Sequence, residues 1–313
     1  MKNPVTYRYE HTTKTVEENL RAVAYGQIDM ALAELDDAEM SVQDKVHQVR
    51  KRCKKLRGLV RLVRGTFSDY KSENRRFRDA AAQLSQIRDA EAVIETHDDL
   101  IELFDDQIDK MAFSSVGDRL EARQEDILAE KDIDQKMAQL RADMVEARDR
   151  VQKWRLSEKS FAAIEGGLAK TYRRARNAMA EAREEPTPEK LHEWRKRVKY
   201  HWYHARLLRE IWPRMMRAHI NVADELADLL GDHHDLAVYR EIVLSDPAAY
   251  GDADEIEALI GLIVAHQSVL VEDAFLLGAR LLAEKPCALV KRWRAFWRTA
   301  MRQVAAQQHA LAA

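Results

Sequence analysis

The residues best equipped for chemistry fall in one pattern that occurs twice. His47-Gln-Val-Arg50-Lys51-Arg-Cys-Lys54 returns, 145 residues later, as His192-Glu-Trp-Arg195-Lys196-Arg-Val-Lys199. The spacing His-x-x-Arg-Lys-x-x-Lys sets an imidazole, a guanidinium and two ammonium groups at helical intervals, on one face. Such a set holds anions. Arg offers planar bidentate donors to phosphate, and Lys offers a mobile point charge. The histidine can take a proton beside a phosphate and lose it among cations alone.

The cationic face is longer than the motif. In the first copy Arg57, Arg61 and Arg64 continue the arc of His47, Arg50, Lys51 and Lys54, all within about 140° of the helix circumference. Val49, Cys53, Leu56, Leu59, Val60 and Val63 fall opposite, as a packing face, and Leu62 stands apart from them. Arg206 and Arg209 extend the second copy, which also carries Trp202 and Tyr203 on its cationic arc and His201 and His204 on its packing side. Residues 45–64 hold nine Lys/Arg and no acid, and residues 190–209 hold seven Lys/Arg against Glu193 alone. An ordinary solvated helix face mixes signs, because like charges at i,i+3 and i,i+4 repel. Two ways of relieving the repulsion are open. Acids from other helices can neutralise the row, residues 91–150 carrying 18 acids against eight bases. Otherwise an external anion does so.

Seven cations along roughly 25 Å of helix suit an extended, many-charged ligand better than one phosphate. No Gly-rich phosphate loop points to a mononucleotide. Nucleic acid is the alternative partner, weakened by the absence of aromatics from the first cationic arc, since base stacking needs them. His233-His234-Asp235 and His201-x-x-His204 each lack a local third metal ligand. The acid pairs Asp98-Asp99 and Asp105-Asp106 lie in a strongly acidic stretch and suit a solvated face. No Ser or Cys sits in a nucleophile elbow. Lys291-Arg-Trp-Arg-Ala-Phe-Trp-Arg298 resembles a membrane-surface segment, but a closing core helix is the preferred reading.

These groups must be positioned by helices. The 313 residues include only 10 Gly and 6 Pro and are rich in helix formers, which predicts an all-α fold. Helical periodicity runs over about 15–37, 42–67, 71–89, 91–112, 115–153, 157–184, 188–211, 213–231, 234–245, 252–283 and 286–309. Ser41-x-x-Asp44 and Thr187-Pro188-Glu189 are start signals for the two cationic helices. Ser245–Asp252 is a loop, and the apolar stretch Ala258–Leu282, broken by charge, reads as a buried helix rather than a membrane span. Two cysteines, Cys53 and Cys287, suit a reducing cytosol, and the polar N-terminal stretch lacks a signal-peptide core. Beyond the motifs, Leu84-Ser-Gln-Ile-Arg88-Asp89 answers Leu230-Gly-Asp-His-His234-Asp235 as a Leu-rich turn, and Arg61 and Arg64 align with Arg206 and Arg209. Matching landmarks in the same order indicate an internal duplication.

The double motif, the two Leu-x-x-x-Arg/His-Asp turns and Tyr172-Arg173-Arg174-Ala-Arg176 resemble the CHAD family, the conserved histidine α-helical domain, over about residues 15–309. The resemblance implies one domain over 1–313, built as two similar antiparallel helical bundles related by a pseudo-two-fold, with repeat halves 15–155 and 156–309. It implies a basic surface or pore that binds inorganic polyphosphate, with His47, Arg50, Lys51, Lys54, His192, Arg195, Lys196 and Lys199 lining it and Arg173 and Arg176 joining. Arg57, Arg61, Arg88 and Arg206 complete the candidate set. No catalysis, cofactor, metal or membrane is expected, and the setting is the cytoplasm, with association to polyphosphate granules. Some CHAD domains follow a CYTH triphosphatase domain, but Glu255-x-Glu257 here lies in a helical context, so no catalysis is transferred. The pattern departs from exact repetition: Ile28 and Ala31 stand where the second half has Arg173 and Arg176, and His234 stands where the first has Arg88. Unequal halves are therefore expected.

Overall fold

A computed structural model describes residues 7–10, 13–108, 113–130 and 132–312, the side chains of 307–312 excepted. The described residues form eleven α-helices and no strand: α1 (Val16–Asp36), α2 (Val42–Leu62), α3 (Tyr70–Ala82), α4 (Ser85–Leu103), α5 (Ser114–Leu128), α6 (Ile133–Val151), α7 (Ala162–Glu184), α8 (Pro188–Leu207), α9 (Pro213–Ser245), α10 (Ala253–Leu281) and α11 (Pro286–Ala312). The all-α expectation holds.

Several boundaries differ from the periodicity, each for a tertiary reason. The stretch 115–153 splits into α5 and α6 with no Gly or Pro to mark the break. The two pieces serve different cores. Val116 and Leu120 of α5 pack with α4, α9 and α10, whereas Leu140, Met144 and Ala147 of α6 join the cluster containing α1 and α2. The stretches 213–231 and 234–245 are instead one 33-residue helix, α9. Gly231 and the Leu230–Asp235 landmark lie inside it, so this is no turn, while Leu84–Asp89 does sit at the α3–α4 junction. α4 ends at Leu103, and residues 109–112 of the expected 91–112 helix lie outside the described residues.

The buried side chains form two clusters, and neither coincides with a sequence half. The larger joins α1, α2, α3, α6, α7, α8, α11, the first half of α9, the start of α4 at Ile87 and the end of α10 at Ala274 and Leu281. The smaller joins α5 and the rest of α4, α9 and α10. In it the Tyr239 hydroxyl lies 2.7 Å from His97 Nδ1, tying α9 to α4. α10 is long and apolar enough to cross a membrane by length and composition. It is buried on one face only: Leu259, Ile263 and Ala274 pack inward while Val264, Val269 and Leu276 face out. Trp293 and Trp297 of α11 are buried, so the core reading of the Lys291–Arg298 segment holds for its aromatics.

Candidate anion-binding site

Both cationic helices start where their caps predict. Ser41 Oγ accepts from the Asp44 amide at 3.0 Å, and Thr187 Oγ1 accepts from the Lys190 amide at 3.4 Å with Pro188 in the first turn. Each buries its apolar side fully: Val46, Val49, Cys53, Leu56 and Leu59 in α2, and Leu191, Trp194 and Val198 in α8. Leu62, off the packing stripe by period, is buried because α7 covers it. Gly167 approaches so closely that a Cβ would collide with the Leu62 carbonyl.

α2 and α8 cross at Gly58, where a Cβ would stand 2.9 Å from Tyr203 Cβ. His204 Nε2–H donates to the Gly58 carbonyl at 3.1 Å across this crossing. With α2 also packed on α4, and α4 on α9, the two motifs converge. Electrostatic contacts run from one half to the other without a gap. His47 feels Arg88 and Lys51. Arg50 reaches Asp89 at 3.4 Å. Lys54 feels Arg50, Arg195, Asp235 and Arg88. Arg195 stands 4.0 Å from Asp235. His234, which feels Arg195, Lys196 and Lys54, packs against His192 with ring centroids 3.8 Å apart and the rings tilted by 36°. Lys196 lines, with both histidines, a cleft of about 510 Å³ between α8, α9 and α10.

The row holds its charge under strain. Lys54 is pushed down to about 8 by desolvation and by the neighbouring Arg50 and Arg195. Burial lowers His192 to about 3, with His234, Lys196 and Arg195 adding to it, and lowers His234 to about 4. His47 is lowered the same way. At neutral pH His192 and His234 are uncharged, the state expected where burial and neighbouring cations outweigh the nearby acids.

Acids meet part of the row. Arg88 is held by Glu91 at 2.8 Å and Glu95 at 2.7 Å. Lys196 contacts Glu193 at 2.8 Å, and Lys199 contacts Asp224 and Asp228 at 3.3 Å each. Both readings of the sequence are thus present in part. The outer cations are paired, whereas the central contacts of Arg50 and Arg195 with Asp89 and Asp235 are long for charge-assisted bonds. Desolvation raises the pKa of both aspartates. Asp89 and Asp235 are the site residues that the reading of cations alone missed. The signal was the Asp that ends each Leu-rich landmark.

The remaining candidates are not brought to this row. Arg61 is buried, donates to the Tyr70 hydroxyl at 3.2 Å and covers the Tyr200 ring at 4.2 Å, with Arg57 over the same ring at 5.9 Å. Arg64 is turned to Thr171 and the Gly167 carbonyl of α7. Arg206 lies over Trp202 at 4.5 Å, and Lys199 over the same ring at 4.3 Å. Trp202 and Tyr203 are themselves buried, so the aromatics of the second arc are no stacking platform. Arg176 donates to the Glu284 carbonyl at 2.7 Å, and Arg173 lines a separate groove between α7 and α11.

The histidines on the packing side of α8 find partners. His204 bonds Gly58, and His201 Nε2 lies 2.7 Å from His219 Nε2 on α9. No cluster of three or more His, Cys, Asp or Glu that could hold a metal occurs among the described residues. The model of the CHAD domain family matches residues 22–244, a stretch that contains α2, α4, α8 and all but the last residue of α9. No curated protein matches the chain.

Proposed function

The chain belongs to the CHAD domain family, and we propose that its α2–α8 row binds inorganic polyphosphate without turning it over. The observation that carries this is Lys54, which joins Arg50 and Arg88 of one half to Arg195 of the other in one continuous line of cations. A linear polyanion can lie along such a line and relieve the mutual repulsion at every step. Binding would then proceed largely by counterion release, with affinity falling steeply as salt rises. The buried Trp202 and the covered Tyr200 favour this guest over single-stranded RNA or DNA, which needs free aromatic faces. On this reading the protein would accompany polyphosphate granules in the cytoplasm.

We also infer that the halves 15–155 and 156–309 are copies related by a pseudo-two-fold within one domain. Helix pairings support this. α1 packs on α2 and α6 as α7 packs on α8 and α11, and α4 packs on α5 as α9 packs on α10. α9 then stands for α3 and α4 joined. Gly58 and Tyr203, equivalent at the repeat offset of 145, touch each other. Around them Lys55 feels Arg206 while Arg61 covers Tyr200, two contacts that the offset interchanges.

The test is a polyphosphate titration at two salt concentrations with RNA as competitor. R50E/K51E/R195E/K196E should abolish binding, whereas R141E/R148E/K153E on α6 and just beyond it should cost little. Equal losses from both sets, or better competition by RNA of matched charge, would overturn the proposal.

A further inference from the structure

α7 and α11 enclose a groove of about 590 Å³ that the α2–α8 row does not use. Arg173 lines it from α7, and Lys291, Arg294 and Arg298 line it from α11. Glu165 is the one acid among its described lining residues, and it is taken by Arg294. The groove lies on the far side of α7 from α2: Gly167 and Thr171 face α2, and Arg173 follows Thr171 by 200° of helical turn.

The pairing of α1 with α6 serves as an internal comparison, since α1 packs on α6 much as α7 packs on α11. There the cations are neutralised across the helix pair: Arg141 meets Asp36 and Arg148 meets Asp29, each at 2.7 Å. Packing two such helices therefore does not require bare charge. In the second pair α7 adds a cation, Arg173, where α1 has the apolar Ile28. Lys291, Arg294 and Arg298 repeat at i,i+3 and i,i+4, so they repel along one helix edge. They span roughly 10 Å, and Arg173 closes the far wall, a cradle sized for a few linked phosphates.

We propose that the α7–α11 groove is a second, separate anion site that takes a short oligophosphate group, either inorganic or the phosphate tail of a nucleotide. Its own reporter is built in. Cys287 lines the groove and is exposed, whereas Cys53 is fully buried, so one thiol is accessible. Alkylation of the full chain by uncharged iodoacetamide, followed by intact mass at constant ionic strength, reads occupancy directly. Tripolyphosphate should slow labelling of Cys287 on the order of five-fold, by shielding the thiol. R173E/K291E/R298E should lose that protection, and R195E/K196E should keep it, which separates this site from the α2–α8 row. Protection by both ATP and tripolyphosphate assigns the phosphate tail as sufficient, and protection by tripolyphosphate alone assigns an inorganic guest. Unchanged labelling of the wild type at millimolar tripolyphosphate, or protection that survives R173E/K291E/R298E, would overturn it.

Discussion

Gly231→Ala separates the stability of the fold from the placement of one cation. Gly231 lies inside α9 with no positive φ, so alanine fits its backbone. In a helix interior the change gains about 0.5–1 kcal/mol. The nearest atoms that a Cβ there would meet all belong to the Arg195 side chain, with Nη2 at 2.9 Å, Nε at 3.2 Å and Cζ at 3.4 Å. These are the mobile end of a long side chain, so the guanidinium shifts by some tenths of an ångström and the backbone stays. Stability in urea should therefore hold or rise, while polyphosphate affinity falls. Removing the guanidinium with Arg195→Gln sets the ceiling: a charge-assisted bond contributes about 1.5–3 kcal/mol, roughly 10- to 100-fold in Kd. Displacement alone should cost about three- to ten-fold, because bidentate geometry is lost but the charge remains. Urea melts and isothermal titration at fixed salt measure the two effects on the same samples. If Gly231→Ala and Arg195→Gln both bind like wild type, Arg195 has no part in the site and the converging row is wrong.

Gly167→Ala should behave in the opposite way, since its Cβ would strike the backbone carbonyl of Leu62, which cannot move alone; unfolding in urea should show a loss of about 3 kcal/mol or more. Asp89→Asn with Asp235→Asn should raise polyphosphate affinity, on the order of ten-fold at low salt, because both carboxylates sit among the central cations. Stability should fall with acid. His204 and His219, lowered by burial to about 3 and about 4, refuse protons that the unfolded chain takes near 6.5. Their contribution is complete above that value and is lost as pH falls toward the folded values, about 2 kcal/mol per histidine by pH 5, readable in urea melts. Polyphosphate binding at pH 6 should draw protons onto His192 and His234, so apparent enthalpies should differ between buffers of unlike ionisation heat; equal enthalpies would refute it.

Much of this was legible in the sequence. Caps at Ser41 and Thr187, the packing stripe of α2 and the paired motifs follow from period and residue type, which are local. What escaped was set at a distance. Nothing in 129–132 announces that α5 and α6 belong to different cores. Gly231 reads as a helix end, but its missing side chain makes room for Arg195 instead. Arg61 and Arg206 share the angular face of the motif, yet tyrosine and tryptophan rings cover them, and a helical wheel does not show what stands opposite. Asp89 and Asp235 were visible as landmarks, but their place beside Arg50 and Arg195 depends on how α4 and α9 are laid across the crossing.

Those two carboxylates have a consequence for selectivity. A binding surface that already contains its own weak competitor sets a threshold for entry. A single orthophosphate must outbid an aspartate that is tethered in place, and it brings little more charge than the group it would displace. A long chain engages several stations together, so each local exchange is helped by the neighbours already made. If the row binds polyphosphate as proposed, discrimination by length needs no measuring device at its ends: internal anions near its middle suffice.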